Sequence, residues 1–119
     1  MGTNFYACPQ NGLFPETEKF ELSVIKGKAG IHIAKRSCGY KPLFHAYDFI
    51  NSTKELEKFV STYDALIVDE YGEEYSFERF CQEVIEWGKG KKLFSHSENM
   101  GEDCFKDEDG NEFLKRGFT

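Results

Sequence analysis

Apolar and polar residues alternate along several short stretches in the first half of the chain, and this pattern predicts β-strands. Residues 20–25 and 31–33 alternate with a period of two, which places successive side chains on opposite faces of a half-buried strand. Residues 2–8 and 43–47 predict two further short strands. The run 65–68 is apolar and rich in branched residues, so it predicts a central strand.

Two later stretches follow the period of a helix instead. The segment 52–55, Ser-Thr-Lys-Glu, is a capping box, in which a hydroxyl accepts from the N3 amide and a carboxylate reaches back to the cap. The apolar residues behind it recur at helical spacing: Leu56, Phe59, Val60 and Tyr63. Ser76 is a second N-cap, and the apolar residues of the helix it begins are Phe77, Phe80, Cys81, Val84 and Trp87. We predict that Gly88 ends this helix as a left-handed cap.

Two segments, 69–75 and 107–113, share the pattern D-E-x-G-x-E-aromatic. A single pair is too little for a repeat protein, so we predict that the chain forms the same turn twice, the second time in a closing hairpin about Asp109-Gly110. Asp107, Asp109 and Asn111 also resemble a calcium loop, but the glycine comes at the fourth position rather than the sixth. The hairpin turn therefore explains these residues better.

Together these elements predict one α+β domain over residues 1–119, with a mostly antiparallel sheet and two helices packed on one face. The length fits a single core. The composition, 39% hydrophobic and 30% charged, is that of an ordinary globular protein.

The charge distribution limits the possible partners. A formal net charge of −6 argues against a general nucleic-acid binder, so we expect no direct, specific nucleic-acid binding. Residues 1–50 carry six Lys/Arg against four Asp/Glu, whereas residues 51–119 carry nine against seventeen. The two halves could attract different partners.

Neither an apolar run of about 20 residues nor a secretory signal pattern is present, so we expect a cytoplasmic protein that does not bind membranes. The four cysteines lie far apart, and in a cytosolic domain we expect them to be thiols.

A basic loop after the predicted strand at 31–35 is the first candidate site. Lys35, Arg36 and Lys41 surround the segment Ser37-Cys38-Gly39. Backbone amides of a glycine turn, together with Lys and Arg side chains, can hold a phosphate. The chain has neither a Walker lysine motif nor G-x-G-x-x-G, so the sequence carries no specific signature of nucleotide binding.

Cys38 in this loop is a candidate nucleophile, because nearby cations would stabilise its thiolate and His32 or His45 could act as a base. Cys8, His32, Cys38 and His45 could alternatively bind zinc, but the Cys-x-x-Cys pairs of structural zinc sites are missing. No third catalytic group is identifiable. We therefore expect a protein that is not an enzyme, with no catalytic residues, metal or cofactor.

Acidic residues on the segment 69–75 form a second candidate surface. Its carboxylates are too numerous to single out an acid–base pair. Glu70, Glu73 and Glu74 either belong to a solvated face or mimic nucleic-acid phosphates and occupy the basic groove of another protein.

Several blocks of the chain resemble motifs that occur together in one protein family. Members begin G-T-N-Y-Y, to which G-T-N-F-Y at residues 2–6 is similar, and continue with L-H-I-G-K-S-S-G-G-W, to which residues 31–40 are similar. Their D-E-Y-G element matches residues 69–72, and their D-x-x-G-y-x-F and terminal E-F-S resemble residues 107–113 and 117–119. The chain thus resembles this uncharacterised family of short phage and prophage proteins, although no block is specific to a known chemistry.

The resemblance implies a phage accessory protein of the host cytosol that binds and inhibits a host protein, most simply a component of an antiviral defence system such as a CRISPR-type nuclease. Some members carry Cys-Pro-x-Cys, but Asn11 stands where the second Cys would follow Cys8-Pro9, which weakens a zinc site. The expected partner-binding residues are Lys35, Arg36, Tyr40, Lys41, Glu70, Glu73 and Glu74. The alternative is a small-ligand binder that holds a phosphate or nucleotide signal in loop 35–41.

Overall fold

Eight strands form one sheet in the computed structural model, which describes residues 2–10, 23–25, 27–37, 42–47, 49–88 and 104–114. The elements in chain order are β1 Gly2–Pro9, β2 Ser23–Ile25, β3 Lys28–Ser37, β4 Leu43–His45, α1 Thr53–Thr62, β5 Ala65–Asp69, β6 Glu74–Tyr75, α2 Phe77–Phe80, a π-helix Cys81–Glu86, β7 Cys104–Lys106 and β8 Glu112–Leu114. The strands are ordered β6-β5-β1-β3-β4-β8-β7, and β2 pairs with the beginning of β3.

The sheet confirms the predicted α+β class with mostly antiparallel pairing. Among the described strands, every pair is antiparallel except β4 with β8. β3 begins earlier than the alternation at residues 31–33 predicted. Gly27, with a φ of 83°, turns the chain, and Lys28 already pairs with Ile25.

A β-bulge in β3 changes which side chains face the core. Phe5 lies opposite Ala34 and Tyr6 lies opposite His32, so Ile33 is the extra residue. An extra residue reverses the alternation of the strand beyond it. Ile33 and Ala34 are consequently both buried in the core, and Arg36, two residues after Ala34, takes the core side of the strand.

The core lies between the sheet and the two helices and is built largely from phenylalanine. Phe80 of α2 lies edge-on to Phe5 and Phe44, with ring centroids 5.4 and 6.3 Å away. Phe44 in turn stacks on Phe113 of β8 at 5.0 Å. These rings are fully buried, and edge-to-face pairs contribute beyond the area that they remove from water. Leu56 and the rest of the apolar face of α1 join the same core.

The capping box at the start of α1 is confirmed, with one difference. The Ser52 hydroxyl accepts from the Glu55 N–H at 3.1 Å, as predicted. The Glu55 carboxylate accepts from Asn51 N–H at 2.7 Å rather than from that of Ser52. A second cap comes from outside the helix, because Asp107 Oδ2 accepts from the Thr53 N–H at 3.0 Å.

The second helix begins as predicted but does not continue as an α-helix. Ser76 caps it by accepting from Arg79 N–H at 3.1 Å, and four α-helical residues lead into the π-helix. The predicted left-handed cap at Gly88 is wrong: among the described glycines, only Gly27, Gly72 and Gly110 have positive φ. Gly88 N–H instead donates to the carbonyl groups of Val84 and Ile85.

Candidate functional site

The turn between β5 and β6 is held by a buried carboxylate. Asp69 Oδ1 accepts from the N–H groups of Tyr71 and Glu73, both at 2.9 Å, and Oδ2 accepts from the Tyr75 hydroxyl at 3.2 Å. Gly72 supplies the positive φ of 89° that the turn requires. Burial, followed by the charge and hydrogen bond of Asp69, raises the pKa of Tyr75 to about 12. Hydrogen bonds to the buried Asp69 carboxylate therefore hold the backbone of this turn.

Tyr71 projects from the tip of this rigid turn. Its exposed fraction is 67%, and it is the one large apolar or aromatic residue among the described positions that is this exposed. Its side chain is not needed for the turn, because only its backbone N–H binds Asp69. Tyr71 is not among the residues that the sequence pattern predicted to bind a partner. A signal for Tyr71 was present in the repeated D-E-x-G-x-E pattern. The equivalent position of the second turn holds Asp109, so the turn itself does not require an aromatic residue there.

Two of the predicted acidic residues, Glu73 and Glu74, are exposed but contact Arg79. The Arg79 guanidinium pairs with the carboxylates of Glu73 and Glu83, donates to the Glu74 carbonyl oxygen, and lies 4.3 Å from the centre of the Tyr75 ring. Hydrogen bonds to Glu83 and Glu73 raise the pKa of Arg79. Arg79 thus binds the backbone of β6 at Glu74 and partly neutralises the charge of Glu73.

The third predicted acidic residue, Glu70, connects the turn to β1. Its carboxylate accepts from the backbone N–H of Asn4 at 2.8 Å and from the side-chain amide at 3.3 Å. Asn4 Oδ1 in turn accepts from His32 Nε2 at 2.9 Å. Burial and the charge of Glu70 raise the pKa of the neighbouring Tyr6. A polar chain therefore runs from the acidic turn across β1 to β3.

His32 and His45, two of the candidate zinc ligands, lie in a row of aromatic rings. Their ring centroids are 6.3 Å apart, and His45 stacks on Tyr47 at 4.3 Å. Tyr47 donates its hydroxyl hydrogen to the carbonyl oxygen of His32 at 2.8 Å. Burial lowers the pKa of His45, against a hydrogen bond with the Ala46 carbonyl that raises it. No group of three or more His, Cys, Asp or Glu in the described part of the chain is arranged for a metal ion.

Lys35 and Arg36, predicted to belong to the basic loop, lie in β3 instead and point in different directions. Arg36 donates to the carbonyl oxygen of Glu83 in the π-helix at 2.7 Å, and its guanidinium lies 5.2 Å from the Trp87 ring centre and 5.7 Å from that of Phe5. Lys35 pairs with Asn4 on the neighbouring strand and faces the other side of the sheet. Arg36 is therefore tied to the fold rather than grouped with Lys35. The remaining predicted residues of this loop, Cys38, Tyr40 and Lys41, lie outside the described residues.

An open cleft of about 450 Å3 lies between α1 and the helix that follows β6. Its walls include Glu57 of α1 and Phe77, Cys81, Ile85 and Glu86 of the second helix. Burial, together with the charges of Glu57, Glu86 and Glu78, raises the pKa of the Cys81 thiol. The thiolate is the reactive form of cysteine, so this environment disfavours reaction at Cys81.

Within residues 2–10, 23–25, 27–37, 42–47, 49–88 and 104–114, no helix combines the length and apolar character needed to cross a bilayer. Comparison of the chain with protein-family models, with curated proteins and with solved structures found no match.

Proposed function

We propose that this chain is a non-enzymatic phage accessory protein that binds a host protein and inhibits it, and that the β5–β6 turn is its docking element. The observation that carries the proposal is the exposed Tyr71 at the tip of a turn fixed by Asp69. Tyrosine is among the residues that most often dominate binding energy at protein interfaces. A rigid turn also loses little conformational freedom on binding.

The charges around Tyr71 indicate the chemistry of the partner. Glu70 and Glu74 flank it within an exposed segment, and residues 51–119 carry a strong excess of Asp and Glu. A basic groove that normally receives nucleic acid would complement this surface and would attract it over a distance. A host nuclease of a defence system, such as a CRISPR-type effector, is a partner of this kind. The resemblance to short phage proteins supports the same class of partner.

The test is affinity capture from a nuclease-treated lysate of a bacterial host, followed by an activity assay of the captured protein. Tyr71→Ala should weaken binding about 30-fold or more, the loss typical of a dominant interface residue. Glu74→Lys should also weaken binding, and the effect should be larger at low salt than at high salt, because salt screens exposed charges.

The second turn provides a matched control. Asp109 occupies the position of Tyr71 and also contributes its backbone N–H to an aspartate, at 3.0 Å. Asp109→Ala should therefore leave capture and inhibition unchanged. Equal capture by Tyr71→Ala and the unmodified chain would show that the turn is not the docking element, and a captured protein whose activity is unaffected would rule out inhibition.

A further inference from the structure

The cleft between α1 and the π-helix has the size and the mixed lining of a ligand site. Its volume, about 450 Å3, falls within the range of roughly 300–1,000 Å3 that small-molecule sites occupy. Thr53, Lys54 and Glu57 form one wall, and the turn between β7 and β8 contributes Asp109 and Asn111 at one end. None of these residues belongs to the Tyr71 turn, so this site is separate from the proposed docking element.

The opposite wall of the cleft includes apolar side chains. Phe77 and Ile85 are partly buried, and each packs against the core while also lining the cleft. Cys81 lies between them on the same helix and is partly buried as well. An apolar group in the cleft would therefore cover side-chain surface that the core leaves exposed.

Acidic side chains predominate among the charged groups of the cleft. Glu57 and Glu86 contribute from opposite walls, and Asp109 lies at one end. Lys54 is the one cation among the described lining residues, and its ammonium pairs with Glu108 at 2.7 Å. The charges of Glu57 and Glu86 also act at the Cys81 thiol, where they raise its pKa together with burial. The negative charge thus also acts on the apolar wall.

The wall that contains Cys81, Ile85 and Glu86 is a π-helix, and π-helical turns occur frequently at functional sites. A hydrogen bond also connects the π-helix to β3, because the guanidinium of Arg36 donates to the Glu83 carbonyl oxygen at 2.7 Å. The conformation of this wall is therefore fixed by contacts within the protein and does not depend on a ligand.

We propose that this cleft binds a small organic cation with an apolar body. The ammonium or guanidinium group lies near Glu57 and Glu86, and the apolar body lies against Phe77 and Ile85. An anion of the same shape is disfavoured by the same carboxylates. Binding is reversible and non-covalent.

Three probes that share one apolar body test this site: phenethylammonium, phenethyl alcohol and 3-phenylpropionate. Each is titrated into the full chain at pH 7 and followed through backbone amide signals by NMR. Phenethylammonium should shift the amides of Phe77, Cys81 and Ile85 with a dissociation constant on the order of millimolar, as expected of so small a ligand. The neutral alcohol should bind more weakly, and the carboxylate should leave these signals unchanged.

Charge variants with opposite expected effects separate binding from damage to the fold. Glu57→Gln should weaken phenethylammonium binding roughly threefold, the scale of an exposed charge interaction. Lys54→Gln should strengthen it about twofold. Glu78→Gln removes the same charge from a residue outside the cleft lining and should change binding less than Glu57→Gln. Equal binding of all three probes, shifts confined to other parts of the chain, or unchanged binding in Glu57→Gln would overturn the proposal.

Discussion

Asp69 and Asp107 form the same pair of hydrogen bonds at the tips of two different hairpins. Each accepts with Oδ1 from the N–H groups two and four residues later, at 2.9 and 2.9 Å for Asp69 and at 3.0 and 2.9 Å for Asp107. In each turn the aspartate N–H also donates to the carbonyl oxygen four residues later at 2.9 Å. The glycines at the third step, Gly72 and Gly110, have φ values of 89° and 82°. The shared sequence pattern thus encodes one turn geometry, which is used twice.

The first prediction concerns these two carboxylates. Asp69→Ala and Asp107→Ala should each lower the free energy of unfolding by about 1–3 kcal/mol, because each leaves several donors without their acceptor. Urea denaturation measures the loss. Glu108→Gln is the control, since Glu108 makes an exposed ion pair with Lys54, and it should cost less than about 0.5 kcal/mol. A loss of that small size in Asp69→Ala would contradict the role given to the turn.

The second prediction is a pH dependence that arises from Asp107. Burial alone would raise the pKa of this carboxyl, but hydrogen bonds from Thr53, Asn111 and Asp109 outweigh it, and the pKa lies below its ordinary value. A carboxyl with a lowered pKa in the folded state stabilises the fold above its unfolded pKa of about 3.9. This contribution is lost as the pH falls through the folded pKa.

The measurement compares the unmodified chain with Asp107→Asn in urea denaturation from pH 6 down to the acid range. The difference in unfolding free energy between the two should be constant near pH 6 and should shrink below about pH 4. A difference that stays constant into the acid range would show that the charge of Asp107 contributes nothing.

The third prediction concerns Arg36, which lies beside the Trp87 ring and donates to the Glu83 carbonyl. Arg36→Lys should cost about 1–2 kcal/mol, because lysine cannot combine the planar contact with the directed hydrogen bond. Trp87 is the one tryptophan of the chain, so its fluorescence should shift to longer wavelength as the ring becomes more hydrated. Unchanged stability and emission would contradict this packing.

The fourth prediction concerns the close contact between β1 and β3 at Gly30. A Cβ atom at this position would lie 2.5 Å from Cys8 Sγ and 2.9 Å from the Ala7 carbonyl oxygen. Gly30→Ala should therefore lower the unfolding free energy by about 1–3 kcal/mol, the usual cost of overpacking. Adding Cys8→Ala should recover part of this loss, since the backbone contact remains. If Gly30→Ala and the unmodified chain had the same free energy of unfolding, β1 and β3 could move apart at this position without loss of stability.

Local patterns predicted the local elements well. The capping box placed the start of α1 within a residue of the observed helix, and the repeated D-E-x-G-x-E pattern identified both hairpin turns. These features depend on residues within five positions of each other. The hydrogen bonds that hold them are therefore encoded in short segments of sequence.

The features that sequence reasoning missed depend on distant parts of the chain. The parallel pairing of β4 with β8 joins strands whose local patterns carry no information about each other. The bulge at Ile33 is defined only by pairing with β1, and it is what turns Arg36 to the core side and separates it from Lys35. The π-helix likewise has the apolar spacing of an ordinary helix. The roles of Tyr40 and Lys41 stay predictions, because these residues lie outside the described part.

The position of β1 between β3 and β5 determines when the Tyr71 turn can form during synthesis of the chain. Asn4 and Glu70 are 66 residues apart, a length that a ribosome takes on the order of 3 to 13 s to make. Until β5 emerges, one edge of β1 remains open to chaperones. The Tyr71 turn cannot be completed before that edge closes, because the Glu70 N–H donates to the Asn4 carbonyl oxygen. A nascent chain therefore completes the Tyr71 turn only after β5 has paired with β1.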